Sequence, residues 1–322
     1  MTDFDLFAPV SRELAIVEAD LRNNINTPLP TMKDAATHLV KAGGKRLRPA
    51  FALLSARLFS ESVDHVIPMA VALELIHMAS LVHDDVIDDS SMRRGRSTVK
   101  HAWGNRTSIY AGNYVFARSL SLVASYERND LMQVLADASM QICEGEIRQM
   151  MSCYNVNQGL KDYLRRIERK TALLISVSCQ LGAMISQAEP YQIQALRRYG
   201  YYLGMSFQIT DDILDFVADE EILGKPVGSD VRQGVITLPV LYALRYHPQR
   251  DELARLLSDS ETALSEADQI IDWVIESGGI EYAYEASCKY ARKSQGQLRY
   301  LPEVKVRDNL HDIATFITVR NY

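Results

Sequence analysis

The chain has 322 residues, of which 47% are hydrophobic and 24% are charged, and its net charge is −6. These values predict a globular protein with a large core and exclude a broadly basic nucleic-acid-binding protein. The four cysteines have no CxxC spacing, which excludes common zinc sites and favours a reducing cytoplasm. The first ten residues, MTDFDLFAPV, lack the basic start and apolar centre of a signal peptide.

Apolar residues recur at helical intervals along most of the chain, and no stretch alternates as a strand does. The sequence therefore predicts an all-α protein. The predicted helices run from Ala8 to Leu21, Met32 to Val40, Ala50 to Phe59, Trp103 to Ala124 and Leu131 to Met151, with later ones starting near Leu160 and Tyr191.

The most distinctive stretch, AVALELIHMASLVHDDVIDD at 70–89, begins as an apolar helical run. It ends in four aspartates within six residues, Asp84, Asp85, Asp88 and Asp89. On a helix, Asp84 and Asp88 lie one turn apart on one face, with His77 two turns earlier. Two carboxylates about 6 Å apart repel each other by roughly 3 kcal/mol at an effective dielectric of about 20. We therefore expect a cation at this face.

Two basic segments flank this helix. The first, GGKRLRP at 43–49, offers Lys45 and Arg48 as anion donors beside flexible glycines. Alone, it is better explained as a solvated basic loop. The second, SSMRRGRST at 90–98, contains Arg93 and Arg94, which either bind an anion or simply neutralise the nearby acids.

A second acidic motif lies in GMSFQITDDILDF at 204–216, where Asp211, Asp212 and Asp215 follow Gln208 by one turn or more. Upstream, Lys170 in RKT precedes an apolar helical half. A buried lysine there would need an anion, whereas an exposed lysine on the rim is the better explanation without further context. The glycines and proline of 223–239, with Lys225, predict a mobile loop over a site.

Aspartate clusters without cysteine favour a hard divalent cation, and Mg²⁺ typically joins one or two carboxylates to substrate phosphates. Two such motifs could hold Mg²⁺ on a diphosphate while cationic side chains bind its other oxygens. A di-iron bundle needs two Glu-x-x-His pairs, and only Glu74 and His77 form one. The di-iron alternative therefore fails.

Taken in order, these motifs resemble those of the trans-isoprenyl (polyprenyl) diphosphate synthases over nearly the whole chain, and most closely the large catalytic subunit of the two-component heptaprenyl type. The resemblance rests on GGKRLRP, DDVIDDSSMRRG, RKT and FQITDDILD followed by GKPVGSD. It implies an all-α isoprenoid-synthase bundle around a deep central cavity, formed by one domain over residues 1–322.

The same resemblance implies a role for each matching residue. The implied Mg²⁺ ligands, for about three ions with substrate bound, are Asp84, Asp88, Asp211 and Asp215. The residues implied in catalysis are Asp84, Asp85, Asp88, Lys170, Asp211 and Asp212. The implied allylic diphosphate contacts are Arg93, Lys170, Thr171, Gln208 and Lys225. The implied isopentenyl diphosphate contacts are Lys45, Arg48, His77 and Arg94.

The implied reaction ionises an allylic diphosphate such as farnesyl diphosphate, adds isopentenyl diphosphate to the cation and removes a proton. Small residues before the first acid motif leave the channel open and predict a long product, such as a heptaprenyl precursor of a menaquinone side chain. The predicted wall of this channel is Leu73, Ile76, Ala79 and Ser80.

The sequence departs from the family pattern at Val235, Asn113 and Ser97, where Lys, Asp and Pro are common. The remaining alternatives are a shorter- or longer-chain homodimeric synthase, a class I terpene cyclase and a non-catalytic subunit. We expect a cytoplasmic homodimer or a heterodimer with a small regulatory subunit, with transient membrane contact for product release and no nucleic acid.

Overall fold

The computed structural model describes residues 6–25, 27–41, 43–93, 95–217 and 227–319, and this part of the chain is almost entirely helical. The first eight helices are α1 Ser11–Asn24, α2 Pro30–Lys41, α3 Leu47–Arg57, α4 Ile67–Ile87, α5 Val99–Ala124, α6 Asn129–Ser152, α7 Leu160–Ile167 and α8 Leu173–Ile185. The others are α9 Pro190–Val217, α10 Ser229–Arg232, α11 Leu238–Tyr246, α12 Arg250–Leu257, α13 Ser260–Ser265, α14 Ala267–Glu276, α15 Gly279–Gln297 and α16 Lys305–Val319.

Short elements join the helices. Three 3₁₀ turns lie at Ala8–Val10, Asp64–Val66 and Leu298–Tyr300, and one π-helical segment lies at Glu168–Ala172. The antiparallel strands β1, Met92–Arg93, and β2, Arg96–Ser97, form a hairpin that the sequence did not predict. Its two-residue strands are too short for an alternating pattern to reveal them.

Local sequence explains where several helices start. Pro68 and Pro239 lie in the first turns of α4 and α11. A proline there costs no helical hydrogen bond, because the first N–H groups of a helix have no partner within it. Thr98 caps α5 by accepting a hydrogen bond from the His101 N–H. Gly104, at φ 79°, bends α5 within its first two turns.

The residue contacts divide the chain into two compact units. The first unit takes the described residues of 1–136, 177–197 and 300–309, and the second takes those of 137–176, 198–299 and 310–322. The single domain over 1–322 stays a prediction.

The first unit is built on α4, which packs against α5, α3 and α1. Residues 64–87 are long and apolar enough to span a membrane, but 72% of their most apolar window is buried inside the fold. Burial against protein explains this composition as that of a core helix. α4 ends at the first acid motif, so the core of this unit fixes where those carboxylates lie.

The second unit has α11 packed against α12, α14 and α15. One buried apolar cluster includes Phe216, Ile236 and Leu253, and another includes Tyr163, Ile167 and Ile209. Phe216 and Ile209 both belong to α9, which carries the second acid motif. The core of this unit therefore holds the second motif in place.

A close helix contact in the first unit gives a testable prediction. A Cβ built on Gly182 of α8 would lie 2.1 Å from the backbone oxygen of Ala52 in α3. Because a backbone oxygen cannot move aside alone, we expect Gly182→Ala to lower the free energy of unfolding by about 1–3 kcal/mol. Urea denaturation measures this loss.

Gly296→Ala is the matched control, because Gly296 lies in α15 and a Cβ added there would have nothing within 4 Å. Alanine is a better helix former than glycine, so this variant should gain about 0.5–1 kcal/mol. Equal stability of Gly182→Ala and the wild type would contradict the close packing of α3 and α8.

Candidate active site

The first acid motif closes α4. Asp84 is half-buried, and its backbone oxygen accepts a hydrogen bond of 2.8 Å from the N–H of Asp88, which is exposed. Asp85 is only 4% exposed, and its Oδ1 lies 2.7 Å from Arg93 Nε. Asp89 is exposed and forms an ion pair with Lys100. The structure therefore leaves Asp84 and Asp88 accessible and buries Asp85.

The Asp85–Arg93 pair shows that the arginine does neutralise an acid. Burial raises the pKa of Asp85, while the charge and hydrogen bond of Arg93 offset part of that rise. Of the two roles predicted for Arg93, neutralising a nearby acid is thus confirmed. Contact between Arg93 and a diphosphate stays a prediction.

The described residues that are predicted to bind isopentenyl diphosphate belong to the first unit. Lys45 is exposed just before α3, Arg48 is half-buried in the first turn of α3, and His77 is half-buried in α4. Arg94 and Lys225 lie outside the described residues. Their predicted contacts with substrate stay predictions.

Arg46, which lies in the basic segment 43–49 between the predicted anion donors Lys45 and Arg48, has a structural role. Its Nε lies 2.9 Å from Glu18 Oε2, and its Nη1 lies 2.9 Å from Glu74 Oε1. Burial alone would lower the pKa of Arg46, but the two glutamates raise it overall. Its backbone is left-handed, at φ 49°. This ion-pair network fixes the loop between Lys45 and Arg48.

The second acid motif lies in the second unit, where Asp211 is half-buried and Asp212 is buried. Tyr163 donates a hydrogen bond of 2.7 Å to Asp212 Oδ2, and Gln208 Nε2 donates one of 2.9 Å to Oδ1. Burial and then the charge of Asp230 raise the pKa of Asp212 to about 7, against the lowering effect of both hydrogen bonds.

The predicted RKT residues lie on the π-helical segment between α7 and α8. Thr171 Oγ1 donates a hydrogen bond of 2.5 Å to Gln208 Oε1, which joins this segment to α9. Lys170 is exposed, and its Nζ lies 3.2 Å from Gln149 Oε1. Lys170 is therefore an exposed lysine, as we expected from its sequence context alone, and not a buried one. π-Helical turns are frequent at functional sites.

Gly204 brings α9 against the π-helical segment. A Cβ at this position would lie 2.4 Å from Ala172 Cα. The absence of a side chain at Gly204 therefore lets Thr171 reach Gln208.

Asp215 is 1% exposed, and its Oδ2 accepts a hydrogen bond of 2.9 Å from the Asp230 N–H. Its backbone oxygen accepts another of 2.7 Å from the Gly228 N–H. Asp215 thus holds the described part of the predicted loop, 227–239, against α9. Its role as a metal ligand stays a prediction, as does mobility of the loop.

The structure describes all three positions at which the sequence departs from the family pattern. The Val235 N–H donates a hydrogen bond of 2.8 Å to the Asp230 backbone oxygen. Asn113 is exposed on α5. Ser97 lies in β2, and its backbone oxygen lies 2.5 Å from His38 Nε2. None of these contacts involves an acid-motif side chain.

Within the described ranges, no three His, Cys, Asp or Glu side chains form a ready-made metal cage. The carboxylates of Asp84 and Asp88 are nevertheless accessible hard oxygen donors at one helix end. Mg²⁺ needs only one or two carboxylates when water and substrate phosphates complete its octahedron. The donor set therefore fits Mg²⁺ bound together with a phosphate substrate.

Tyr163→Phe tests the hydrogen bond to Asp212. A buried carboxylate that loses a donor destabilises the fold by about 1–3 kcal/mol. The raised pKa of Asp212 means that its contribution to stability is fully present well below pH 4 and is lost as pH rises through about 7. At pH 8 Asp212 is ionised and needs the hydrogen bond from Tyr163, whereas at pH 5 it is protonated. We therefore expect Tyr163→Phe to reduce the unfolding free energy more at pH 8 than at pH 5.

Tyr199→Phe is the matched control, because Tyr199 is also buried and donates 2.7 Å to the neutral backbone oxygen of Leu310. Its destabilisation should be the same at both pH values. Urea denaturation of both variants at both pH values gives the comparison. A pH-independent loss for Tyr163→Phe would contradict an ionised Asp212 held by this tyrosine.

Comparison with known proteins identifies the family. Residues 29–274 match the polyprenyl synthetase family. Over 317 residues, which cover 98% of both proteins, the chain is 47% identical to heptaprenyl diphosphate synthase component 2 of Geobacillus stearothermophilus. Polyprenyl synthases use Mg²⁺ and take an allylic diphosphate and isopentenyl diphosphate as substrates.

Solved structures agree with this match. Heptaprenyl diphosphate synthase from Staphylococcus aureus has a TM-score of 0.91 and 37% identity, over 97% of this chain and 99% of that one. A polyprenyl synthase from Caulobacter crescentus, complexed with calcium and isoprenyl diphosphate, has a TM-score of 0.94 and 33% identity, over 100% of this chain and 98% of that one. The chain therefore belongs to the polyprenyl synthetase family and is a prenyltransferase with the all-α isoprenoid synthase fold.

Proposed function

We propose that this prenyltransferase is a long-chain trans-polyprenyl diphosphate synthase that extends an allylic diphosphate such as farnesyl diphosphate to a heptaprenyl product. The observation that carries the proposal is the pair of DDxxD motifs, each of which has its second aspartate buried and hydrogen-bonded. The 47% identity to a heptaprenyl diphosphate synthase component supports the product length.

In this proposal Asp84, Asp88, Asp211 and Asp215 hold about three Mg²⁺ ions against the allylic diphosphate. When bound, Mg²⁺ neutralises the charge that develops on the leaving diphosphate. The buried Asp85 and Asp212 orient their motifs without facing solvent. In this proposal some aspartates of each motif bind metal, while the buried second aspartate positions the motif.

Cationic and polar side chains supply the remaining contacts. Exposed Lys170 donates to the allylic diphosphate, while the hydrogen-bonded pair of Thr171 and Gln208 orients it. The further allylic contacts proposed from the resemblance are Arg93 and Lys225. The proposed isopentenyl diphosphate contacts are Lys45, Arg48, His77 and Arg94. Charges fixed before the reaction stabilise ionisation because they need not reorganise.

Product length in this proposal depends on α4. Leu73, Ile76 and Ala79 are at most 4% exposed, and Ser80, which donates 2.9 Å to the His77 backbone oxygen, is half-buried. The small side chains of Ser80 and Ala79 lie four and five residues before Asp84, where the growing product would first pass the channel wall. A larger side chain there would shorten the channel.

We also propose a two-component enzyme in the cytoplasm. The relative from Geobacillus stearothermophilus is named as component 2, which implies another component in that enzyme. The four cysteines are free in the structure, which suits a reducing compartment. The heptaprenyl product, as a precursor of a menaquinone side chain, would reach the membrane through transient contact.

Asp84→Ala tests the proposed chemistry. We expect the turnover of farnesyl diphosphate and isopentenyl diphosphate to fall by about 10²–10³-fold, because a metal-binding charge is lost. Asp89→Ala is the control, since Asp89 belongs to the same acidic stretch but is exposed and paired with Lys100. Radiolabelled isopentenyl diphosphate gives both rates. Full activity of Asp84→Ala in the assembled enzyme would contradict the proposal.

Ala79→Phe tests the proposed wall. Phenylalanine at this buried position should block the growing chain and shorten the product, as measured by reversed-phase chromatography after dephosphorylation. Ile87→Phe adds the same ring at an exposed position of α4 and should leave product length unchanged. An unchanged product from Ala79→Phe would place the wall elsewhere.

The purified chain should first be assayed alone with farnesyl diphosphate, isopentenyl diphosphate and Mg²⁺. The two-component proposal predicts little product until a second polypeptide from the same organism is added. Full activity of the chain alone would instead support a homodimer.

A further inference from the structure

A large cavity in the second unit lies between the C-terminal half of α6 and the residues from α7 to the π-helical segment. Its volume is about 980 Å³. None of the acid-motif aspartates is among the described residues that line it. The side chains that give it its character are Arg148, Arg165, Arg166, Arg169, Glu144 and Asp162.

The charge of this cavity is opposite to that of the chain. The described lining residues include four arginines and two acids, which together carry a formal charge of +2 in a protein of net charge −6. Arg148 and Arg165 are exposed lining residues of this cavity. A local positive field in an acidic protein favours an anionic ligand.

Part of the lining is held in a fixed geometry. Arg166 Nη1 donates 3.0 Å to Gln158 Oε1, and its Nη2 donates 2.6 Å to the Ile236 backbone oxygen. Gln158 is 8% exposed and donates 3.0 Å to the Asn155 backbone oxygen. Arg169 pairs with Glu144 at 2.9 Å. Two of the four arginines, Arg166 and Arg169, have therefore already lost much of their conformational freedom.

The lining also limits the kind of anion. Arginine forks match phosphate oxygens in a bidentate geometry. Among the described lining residues there is no aromatic ring on which a nucleobase could stack. Ile147 and Met151 add two exposed apolar side chains. These features favour a diphosphate group, either free or carrying an alkyl chain, over a nucleotide.

The cavity is connected to a residue of the proposed reaction. Gln149 lines it and accepts the hydrogen bond from Lys170 Nζ, and Arg169 directly precedes Lys170 on the π-helical segment. Each condensation releases one inorganic diphosphate. A diphosphate bound by Arg169 would therefore contact the π-helical segment that also carries Lys170.

We propose that this arginine cavity is a further diphosphate-binding site, additional to the proposed allylic and isopentenyl diphosphate sites, through which released diphosphate or a prenyl diphosphate slows turnover. The inhibition rests on the proposed function, whereas the binding does not. Because the acid motifs need Mg²⁺ to hold a diphosphate, binding at the arginines should persist without metal.

The test is isothermal titration of the metal-free full chain with inorganic diphosphate in EDTA. Because the proposed isopentenyl diphosphate contacts also act without metal, we expect two saturable binding events in the wild type, one of which loses at least tenfold in affinity in Arg148→Gln/Arg165→Gln. Arg292→Gln is the matched control, since Arg292 is exposed on α15 in the same unit and does not line the cavity. Equal urea denaturation curves would confirm that the double variant is folded.

Further arms separate the sources of the diphosphate. Tighter binding of a non-hydrolysable farnesyl diphosphate analogue would identify an ester site, and tighter binding of free diphosphate a product site. Equal binding of sulfate would show charge attraction only and would overturn the proposal. The proposal is also overturned if the wild type and the double variant bind diphosphate equally, or if diphosphate binds only with Mg²⁺.

In the condensation assay, added diphosphate should inhibit the double variant at least fivefold less than the wild type, with little change in the uninhibited rate. Inhibition of both proteins at the same concentration would overturn the regulatory part. If the assembled enzyme is inactive while the metal-free chain still shows the arginine-dependent binding of diphosphate, the proposed function is contradicted and the site stands.

Discussion

The cost of burying the Asp212 carboxylate is the constraint on which the second unit depends. Removing a charged group from water is expensive unless hydrogen bonds replace the lost hydration. Tyr163 of α7 and Gln208 of α9 supply those hydrogen bonds, and Thr171 in turn holds Gln208. One buried charge therefore joins α7, the π-helical segment and α9. The segment that presents Lys170 is positioned by the same hydrogen bonds.

The two acid motifs share a division between their aspartates. In each motif the second aspartate, Asp85 or Asp212, is buried with a donor, while the first, Asp84 or Asp211, is half-buried. The donors differ, since Asp85 uses a charged arginine and Asp212 uses neutral groups. Burial and then the charge of Asp230 raise the pKa of Asp212 to about 7, and its neutral donors offset only part of that rise. Similar sequences thus create different electrostatic environments.

Sequence patterns predicted the helices because apolar spacing records which face is buried. They also predicted the acid motifs and the family, both of which depend on local residue order. They could not assign Arg46, because its left-handed backbone and its pairing with Glu18 and Glu74 arise from helices distant in sequence. The role of Tyr163 was missed because its partner, Asp212, is also distant in sequence. The π-helical segment was missed because its extra residue per turn leaves no mark in a short apolar pattern.

The last aspartates of the motifs, Asp88 and Asp215, differ most. Asp88 is exposed just past the end of α4, whereas Asp215 is 1% exposed and accepts the Asp230 N–H. Asp230 also raises the pKa of Asp212 through its charge. A cation attracted to the second motif would therefore relieve repulsion between Asp212 and Asp230 and act on the residue whose N–H holds Asp215. Residues 227–239 are thus joined to the second motif through Asp230, by its backbone N–H and by its charge, whereas Asp88 of the first motif faces solvent.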